Sequence, residues 1–344
     1  MQSHEPVKTR ISKSKLLWPF LALILILVFN LIFTPEFFSL EIKDGHLFGS
    51  LIDVLNRGAG LMVLSMGMTL VIATGGVDLS VGPVIAITAA VAATLIGPET
   101  GITAMPLILV ILLGLLAAAM GGIWNGLLVS YGGIQPIVAT LILMMAGRGI
   151  AQLITEGQIL TIYYSPYYFI GAGYLFGLPF PLFIVAGVLL FFWWSTRKTA
   201  LGLFIESIGT NASASYYSGI NEKNVKLLVY TLSGLCAGIA GLMISSNIKS
   251  ADANNAGLWT ELDAILAVNI GGTDPNGGRF YLLGSLLGAL IIQTLTTTIY
   301  SVGVPPEIIL VVKAGVILVV TLIQSEQFRE TVSGKLFTKK ESAS

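Results

Sequence analysis

The chain has 344 residues, 55% of them hydrophobic and only 10% charged, where soluble domains carry about 25% charged residues. That composition describes an integral membrane protein. Lysine plus arginine and aspartate plus glutamate each number 18, so the formal net charge is zero and nothing marks a nucleic-acid partner. The one cysteine, Cys236, sits in an apolar run, which excludes an intrachain disulfide and a thiolate metal site. His4 and His46 fall in polar stretches and form no metal-ligand pattern, so no metal or catalytic residue is expected.

Taken in order, residues 1–15 form a basic tail with Lys8, Arg10, Lys13 and Lys15. Residues 16–33 are apolar and predict a first span. Thr34-Pro35-Glu36 follows, not a small-x-small cleavage site, so a retained span is expected rather than a signal peptide. Residues 35–57 are mixed in charge and suit the outside. Residues 58–97 are long enough for two spans at ~20 residues each but are interrupted by Gly75-Gly76-Val77-Asp78-Leu79-Ser80. Further spans are predicted at 107–130 and 137–154. Residues 155–178 hold Tyr163, Tyr164, Tyr167, Tyr168 and Tyr174 and no basic residue, the pattern of an outer loop with interfacial aromatics. Residues 179–194 make a sixth span.

The stretch 197–226 is polar and carries Arg197, Lys198, Lys223 and Lys226 at its two ends. Lys/Arg beside spans marks the cytoplasmic side. Its middle, 200–217, predicts one short amphipathic helix stopped by Ser218-Gly219, and an ordered polar helix there suits docking by another protein. Residues 227–243 predict a seventh span, and 247–262 an outer loop. An apolar piece at 263–270, a polar break at 271–278, spans at 281–300 and 305–323, and a tail at 324–344 complete the chain. Most of the 18 basic residues then fall on the assigned inside. The expected fold is all-α and polytopic, one membrane-embedded domain over 1–344. It has about ten transmembrane helices, some of them broken, and both termini inside.

Both breaks carry an acid near a glycine pair: Asp78 beside Gly75-Gly76, and Asp263 before Gly271-Gly272. Broken helices at membrane depth occur only where they are buried in protein or line a watery cavity. Paired interruptions in the two halves point to a translocation path. The halves echo each other through Gly114 and Gly284, Gly133 and Gly303, and Pro136 and Pro306, each pair 170 residues apart, which suggests an inverted repeat. Asp78 suits either a cap for the helix starting at Ser80 or Val81 or contact with solute. A charge at mid-bilayer costs at least ~2.5 kcal/mol, so Lys313 requires a partner; Asp78, Asp263 and Glu307 are the candidates.

No Walker loop occurs, since Gly334-Lys335 runs into Leu336; nor does a nucleophile elbow, zinc motif or dinucleotide fingerprint. The classes left are a passive channel, an ion-coupled secondary carrier of a small polar solute, and the pore subunit of an ATP-driven transporter. The cytoplasmic docking element favours the last.

Gly75-Gly76-Val77-Asp78-Leu79-Ser80-Val81-Gly82 resembles the signature of ribose-type ABC importer permeases. So do Asn125-Gly126, Pro136, Thr140-Leu141, Arg148-Gly149, the run from Gly209 to Ile220, and Glu261-Leu262-Asp263-Ala264-Ile265 followed by Gly271-Gly272-Thr273 and Gly277-Gly278. The match covers about residues 20–323. Thr210, Asp274-Pro275-Asn276 and Phe280 depart from the usual pattern. The resemblance implies a bacterial inner-membrane permease that binds no cofactor itself. A periplasmic binding protein would deliver a monosaccharide, of ribose or galactofuranose type. A second permease, identical or homologous, would complete the pathway, and ABC ATPase subunits carrying ATP and Mg would dock on the cytoplasmic side. It implies ATPase docking by Gly202, Glu206, Gly209, Asn211, Ala212, Ala214 and Gly219. Asp78, Ser80, Asn125, Asp263 and Lys313 are the candidate translocation-pathway residues.

Overall fold

The computed structural model describes residues 17–43, 45–97, 105–303 and 305–324. The tails expected at 1–15 and after residue 324 lie outside the described residues, as does the side chain of Glu307. The helices in chain order are α1 (Leu17–Phe33), α2 (Ser50–Ala73), α3 (Val81–Ile96), α4 (Leu107–Ser130), α5 (Pro136–Ile154), α6 (Ser165–Ala172), α7 (Phe180–Lys198), α8 (Leu201–Thr210), α9 (Ala212–Tyr217), α10 (Glu222–Ile248), α11 (Thr260–Ile270), α12 (Leu282–Ser301) and α13 (Pro306–Gln324). Three two-stranded antiparallel ribbons trim the loops: β1 (Glu41–Lys43) with β2 (His46–Phe48), β3 (Leu160–Thr161) with β6 (Ser250–Ala251), and β4 (Tyr174–Leu175) with β5 (Leu178–Pro179).

Among the described residues, α2, α4, α5, α7, α10 and α12 are long and apolar enough to cross a membrane. At 1.5 Å per residue, the 24 residues of α2 reach ~36 Å, more than a ~30 Å hydrocarbon core. Helices α1 and α3 are apolar but shorter, at 17 and 16 residues, and α11 has only 11. The architecture is therefore that of an all-α membrane protein.

Helices α2, α10 and α12 are mostly buried, whereas α4, α5 and α7 leave most of their surface outside the protein. Small residues explain the centre. Gly67 on α2 sits where a Cβ would come within 2.9 Å of Cys236 on α10, and Gly234 and Gly238 of α10 face Ala118 and Gly122 of α4. Without a hydrophobic drive between helices in lipid, such close contact is what holds them. Buried hydroxyls and amides add cross-links: Thr69 Oγ1 donates to Ser285 Oγ at 2.7 Å, and Asn30 Nδ2 to Thr298 Oγ1 at 2.7 Å.

A shift of 170 residues carries α5 onto α13 end to end and brings α2 close to α10 and α4 close to α12. Gly133 and Gly303, also 170 apart, both hold positive φ, at 65° and 78°. These three helix pairs follow the spacing of the glycine and proline pairs, whereas α3 shifted by 170 residues would start at 251, ahead of α11 at Thr260.

Two expectations are corrected. The stretch 197–226 holds not one helix over 200–217 but two, α8 and α9, parted at Asn211, whose extended backbone (φ −160°, ψ 100°) ends the first helix. Asn211 Oδ1 accepts from Ala214 N at 3.0 Å, so it caps the second, as asparagine does well. The tyrosine-rich segment is also more than loop. Its helix α6 packs on the far end of α10, where Tyr167 Oη meets Ser245 Oγ at 2.6 Å and Gly171 N donates to Ser246 Oγ at 2.8 Å. Tyr167 is fully buried.

Candidate functional site

The break after α2 is pinned by one buried carboxylate. Asp78 is 1% exposed. Its Oδ1 accepts from Ser80 N at 3.0 Å and Ser80 Oγ at 2.7 Å, with Asn125 Nδ2 at 3.4 Å, and its Oδ2 accepts from Ser233 Oγ at 2.9 Å. Asn125 Nδ2 also reaches Ser80 Oγ at 2.7 Å. A buried carboxylate needs such donors, because hydrogen bonds to an ionised group are about twice as strong as neutral ones and leaving the group bare is costly. The same loop is held at its backbone: Tyr230 Oη donates to Val77 O at 3.4 Å and Thr140 Oγ1 lies 3.5 Å from it. One loop is thereby tied to α4, α5 and α10. Asp78 turns the chain by taking the N–H of Ser80, just ahead of α3, and is enclosed by protein.

Helix α3 begins beside the middle of α5, where Gly147 lies against Pro83. Its first turn meets the first turn of α11. A Cβ at Gly82 would overlap both the Glu261 carboxylate and the Gly257 carbonyl oxygen, and a Cβ at Gly257, which has φ +69°, would sit 2.6 Å from Gly82 O. From this meeting point the two short helices part. The far end of α3 packs with Ile162 and Tyr167. The loop after α11 reaches the opposite side, where Gly278 N donates to Ala73 O at 2.9 Å. Two half-helices abutting at their N-termini are the arrangement that transporters place at the membrane midplane.

Asp263, on α11, pairs with Lys313 of α13: Nζ to Oδ2 is 2.6 Å. Of the three partners open to Lys313 from sequence, the structure selects Asp263. This ion pair stands apart from the Asp78 cluster, so the five pathway candidates fall into two groups: Asp78, Ser80 and Asn125 together, and Asp263 with Lys313.

The stretch 197–226 meets both breaks at a glycine junction. Gly209, near the end of α8, is packed so tightly that a Cβ would overlap Ala73 O and Gly278 N. Gly277, at φ +95°, faces Gly75 N at 2.9 Å and Gly209 O at 3.0 Å by the same measure. The end of α2, the loop after α11 and the end of α8 thus touch backbone to backbone, with no side chain between them. Gly202 is likewise internal, against the carbonyl of Thr196, and Glu206 is half-buried. Asn211 and Ala214 are exposed, Ala212 is partly so, and Gly219 turns the chain at φ +82°. The outer surface here is apolar: Leu203, Tyr216 and Tyr217 are 65%, 70% and 88% exposed. Asn221 Oδ1 then caps α10, accepting from Asn224 N at 3.1 Å.

Sequence reasoning did not single out Ser233 and Tyr230. Both lie in an apolar run with no local signal, and only the packing of α10 against the break brings them to Asp78 and Val77.

The family described as branched-chain amino acid transport system / permease component matches residues 50–321. Among curated proteins, the galactofuranose transporter permease protein YtfT of Escherichia coli is 50% identical over 95% of this chain and 96% of its own. The fructose import permease protein FruF of Bifidobacterium longum is 38% identical, over 92% of this chain and 89% of its own. The ribose import permease protein RbsC of Haemophilus influenzae is 35% identical, over 88% and 91% respectively. No solved structure matches. With its paired half-helices and its near end-to-end likeness to these permeases, the chain belongs to the ribose-type sugar permeases of ABC importers.

Proposed function

We propose that this chain is the membrane-spanning subunit of an ATP-driven, binding-protein-dependent importer of a monosaccharide, with a galactofuranose-like sugar as its cargo. The glycine junction carries this reading. It puts the cytoplasmic stretch in backbone contact with the loops that follow α2 and α11, so a push on α8 reaches both broken elements without passing through a flexible side chain. Asp78 is taken up by serine and asparagine donors and Asp263 by Lys313, which supports an importer driven from outside the chain over an ion-coupled carrier. The chain would lie in the bacterial inner membrane with 199–221 on the cytoplasmic side. An ABC ATPase would hold ATP and Mg, a periplasmic protein would deliver the sugar, and a second permease would complete the pathway.

Docking would use the exposed edge of α9, with Ala214, Tyr216 and Tyr217, while Gly202 and Gly209 serve the internal fit. Ala214→Arg places a long charge on an exposed position, where substitutions usually change stability by less than ~0.5 kcal/mol. The expected outcome is a normally inserted permease that no longer co-purifies an ATPase and no longer supports uptake. Uptake at the wild-type rate in that variant would refute docking at α9.

A further inference from the structure

We propose that residues 252–259 form an outer gate over the half-helix junction, held shut by Arg148. The inference rests on the importer reading for its sense of direction. Its first test needs a working importer; its second does not.

After α10 the chain does not stay at the rim. Strand β6 pairs with β3 at the end of the protein opposite α8, and the next residues run inward to Gly257, which packs on Gly82 at the start of α3. Ala253 and Ala256 are buried on the way. The segment therefore lies between the outer rim and Ser80, which stands two residues before Gly82 in the chain and is bonded to Asp78 and Asn125. Ala253 and Ala256 pack in the core beside Val81 and Ile85 of α3, and among the described residues the side-chain hydrogen bonds that tie the segment to another helix all come from α5. Arg148 Nη1 donates to Ala253 O at 3.0 Å and to Ala256 O at 2.7 Å, and Gln152 Nε2 donates to Asn254 Oδ1 at 2.6 Å one helical turn further on. Arg148 and Gln152 share one face of α5, so a small rotation or tilt of that helix would release all three bonds together.

The closed arrangement also carries costs that opening would relieve. Glu261 is 2% exposed, yet its Oε2 has no hydrogen-bond partner among the described residues. A buried polar atom left unpaired is unfavourable. Trp259 holds φ +64°, a left-handed conformation that is an outlier for a bulky residue. Both residues flank the hinge between segment 252–259 and α11, so one movement of that hinge would hydrate the carboxylate and relax the tryptophan. A clasp made of side-chain bonds on one helix, set against stored cost at the hinge, describes a two-state element. Arg148 acts as a positioning residue. Lysine in its place offers a compact point charge instead of a planar fork and should hold the segment less firmly.

The test uses a disulfide across the clasp. The native Cys236 is buried, so a chain carrying Gln152→Cys and Asn254→Cys can be oxidised selectively. In the assembled transporter, oxidation should abolish uptake and reductant should restore it. Complete cross-linking with uptake unchanged would overturn the gate. If the chain moves no sugar at all, the reduced form is also inactive, which separates failure of the importer reading from failure of the gate. The second arm needs no cargo. Ser80→Cys, behind the segment, is exposed to a membrane-impermeant methanethiosulfonate added from outside. Labelling should be slow with Arg148 intact, at least tenfold faster with Arg148→Ala, intermediate with Arg148→Lys, and slowest with the 152–254 cross-link. Equal rates in all four would overturn the proposal whatever the transporter carries.

Discussion

At the residue scale the protein depends on carboxylates that cannot be left bare. Lys313 and Asp263, at 2.6 Å, form a partly buried pair joining α13 to α11. Removing one partner of such a pair costs ~3–5 kcal/mol, whereas replacing both with apolar groups is often neutral. Lys313→Met should therefore lower folded yield sharply, Lys313→Arg only slightly, and Lys313→Met combined with Asp263→Leu should recover most of the loss, read as monodisperse protein in detergent. Recovery with Asp78→Leu instead would contradict the pairing. The need for a partner was legible in the sequence, because an ammonium in an apolar run stands out. The choice of partner was not, since it depends on how α11 and α13 pack. Asp78 was legible as a residue that turns the chain ahead of a helix. Its link to Ser233 was not, because a lone serine among apolar neighbours carries no pattern.

At the element scale the sequence resolved the long apolar helices and missed their irregular neighbours. Helices α4 and α5 start and stop within a residue of expectation because proline and tyrosine-glycine signals bound them. Helix α10 runs from Glu222 to Ile248, well past the apolar stretch that announced it. Its first turns carry Lys226 against Glu222 at 2.5 Å, an i,i+4 pair that propagates a helix through polar sequence. The break at Asn211 carried a local sign, an asparagine followed by small residues, but the amphipathic periodicity on either side masked it. The tyrosine segment hid a helix because its burial depends on α10. That burial matters for a topology test. A reporter at Tyr167 would disrupt the contact with Ser245, so the outer reporter belongs at Phe176, which is 90% exposed at the tip of the β4–β5 hairpin. A label there is expected to be reachable only from the periplasm, and one at Ser218 only from the cytoplasm. Finding both on the same face would remove the basis for docking at α9.

At the scale of the whole molecule, two short half-helices, α3 and α11, stand start to start. The stretch 197–226 joins the far side of that core through Gly75, Gly209, Gly277 and Gly278. The individual glycine pairs were visible in the sequence; their meeting was not, since Gly75, Gly209 and Gly277 are distant in the chain and only the tertiary fold brings their backbones into contact. We infer that this contact transmits the work of ATP hydrolysis from docking surface to pathway. It is tested most directly by the amount of sugar taken up per ATP hydrolysed by the assembled transporter carrying Gly209→Ala. The added methyl group would collide with the carbonyl of Ala73, and the exposed docking edge on α9 would be untouched. Assembly and binding-protein-stimulated hydrolysis should persist while uptake per ATP falls at least tenfold. A Gly209→Ala transporter that assembles, hydrolyses ATP and imports sugar at the wild-type ratio would contradict it.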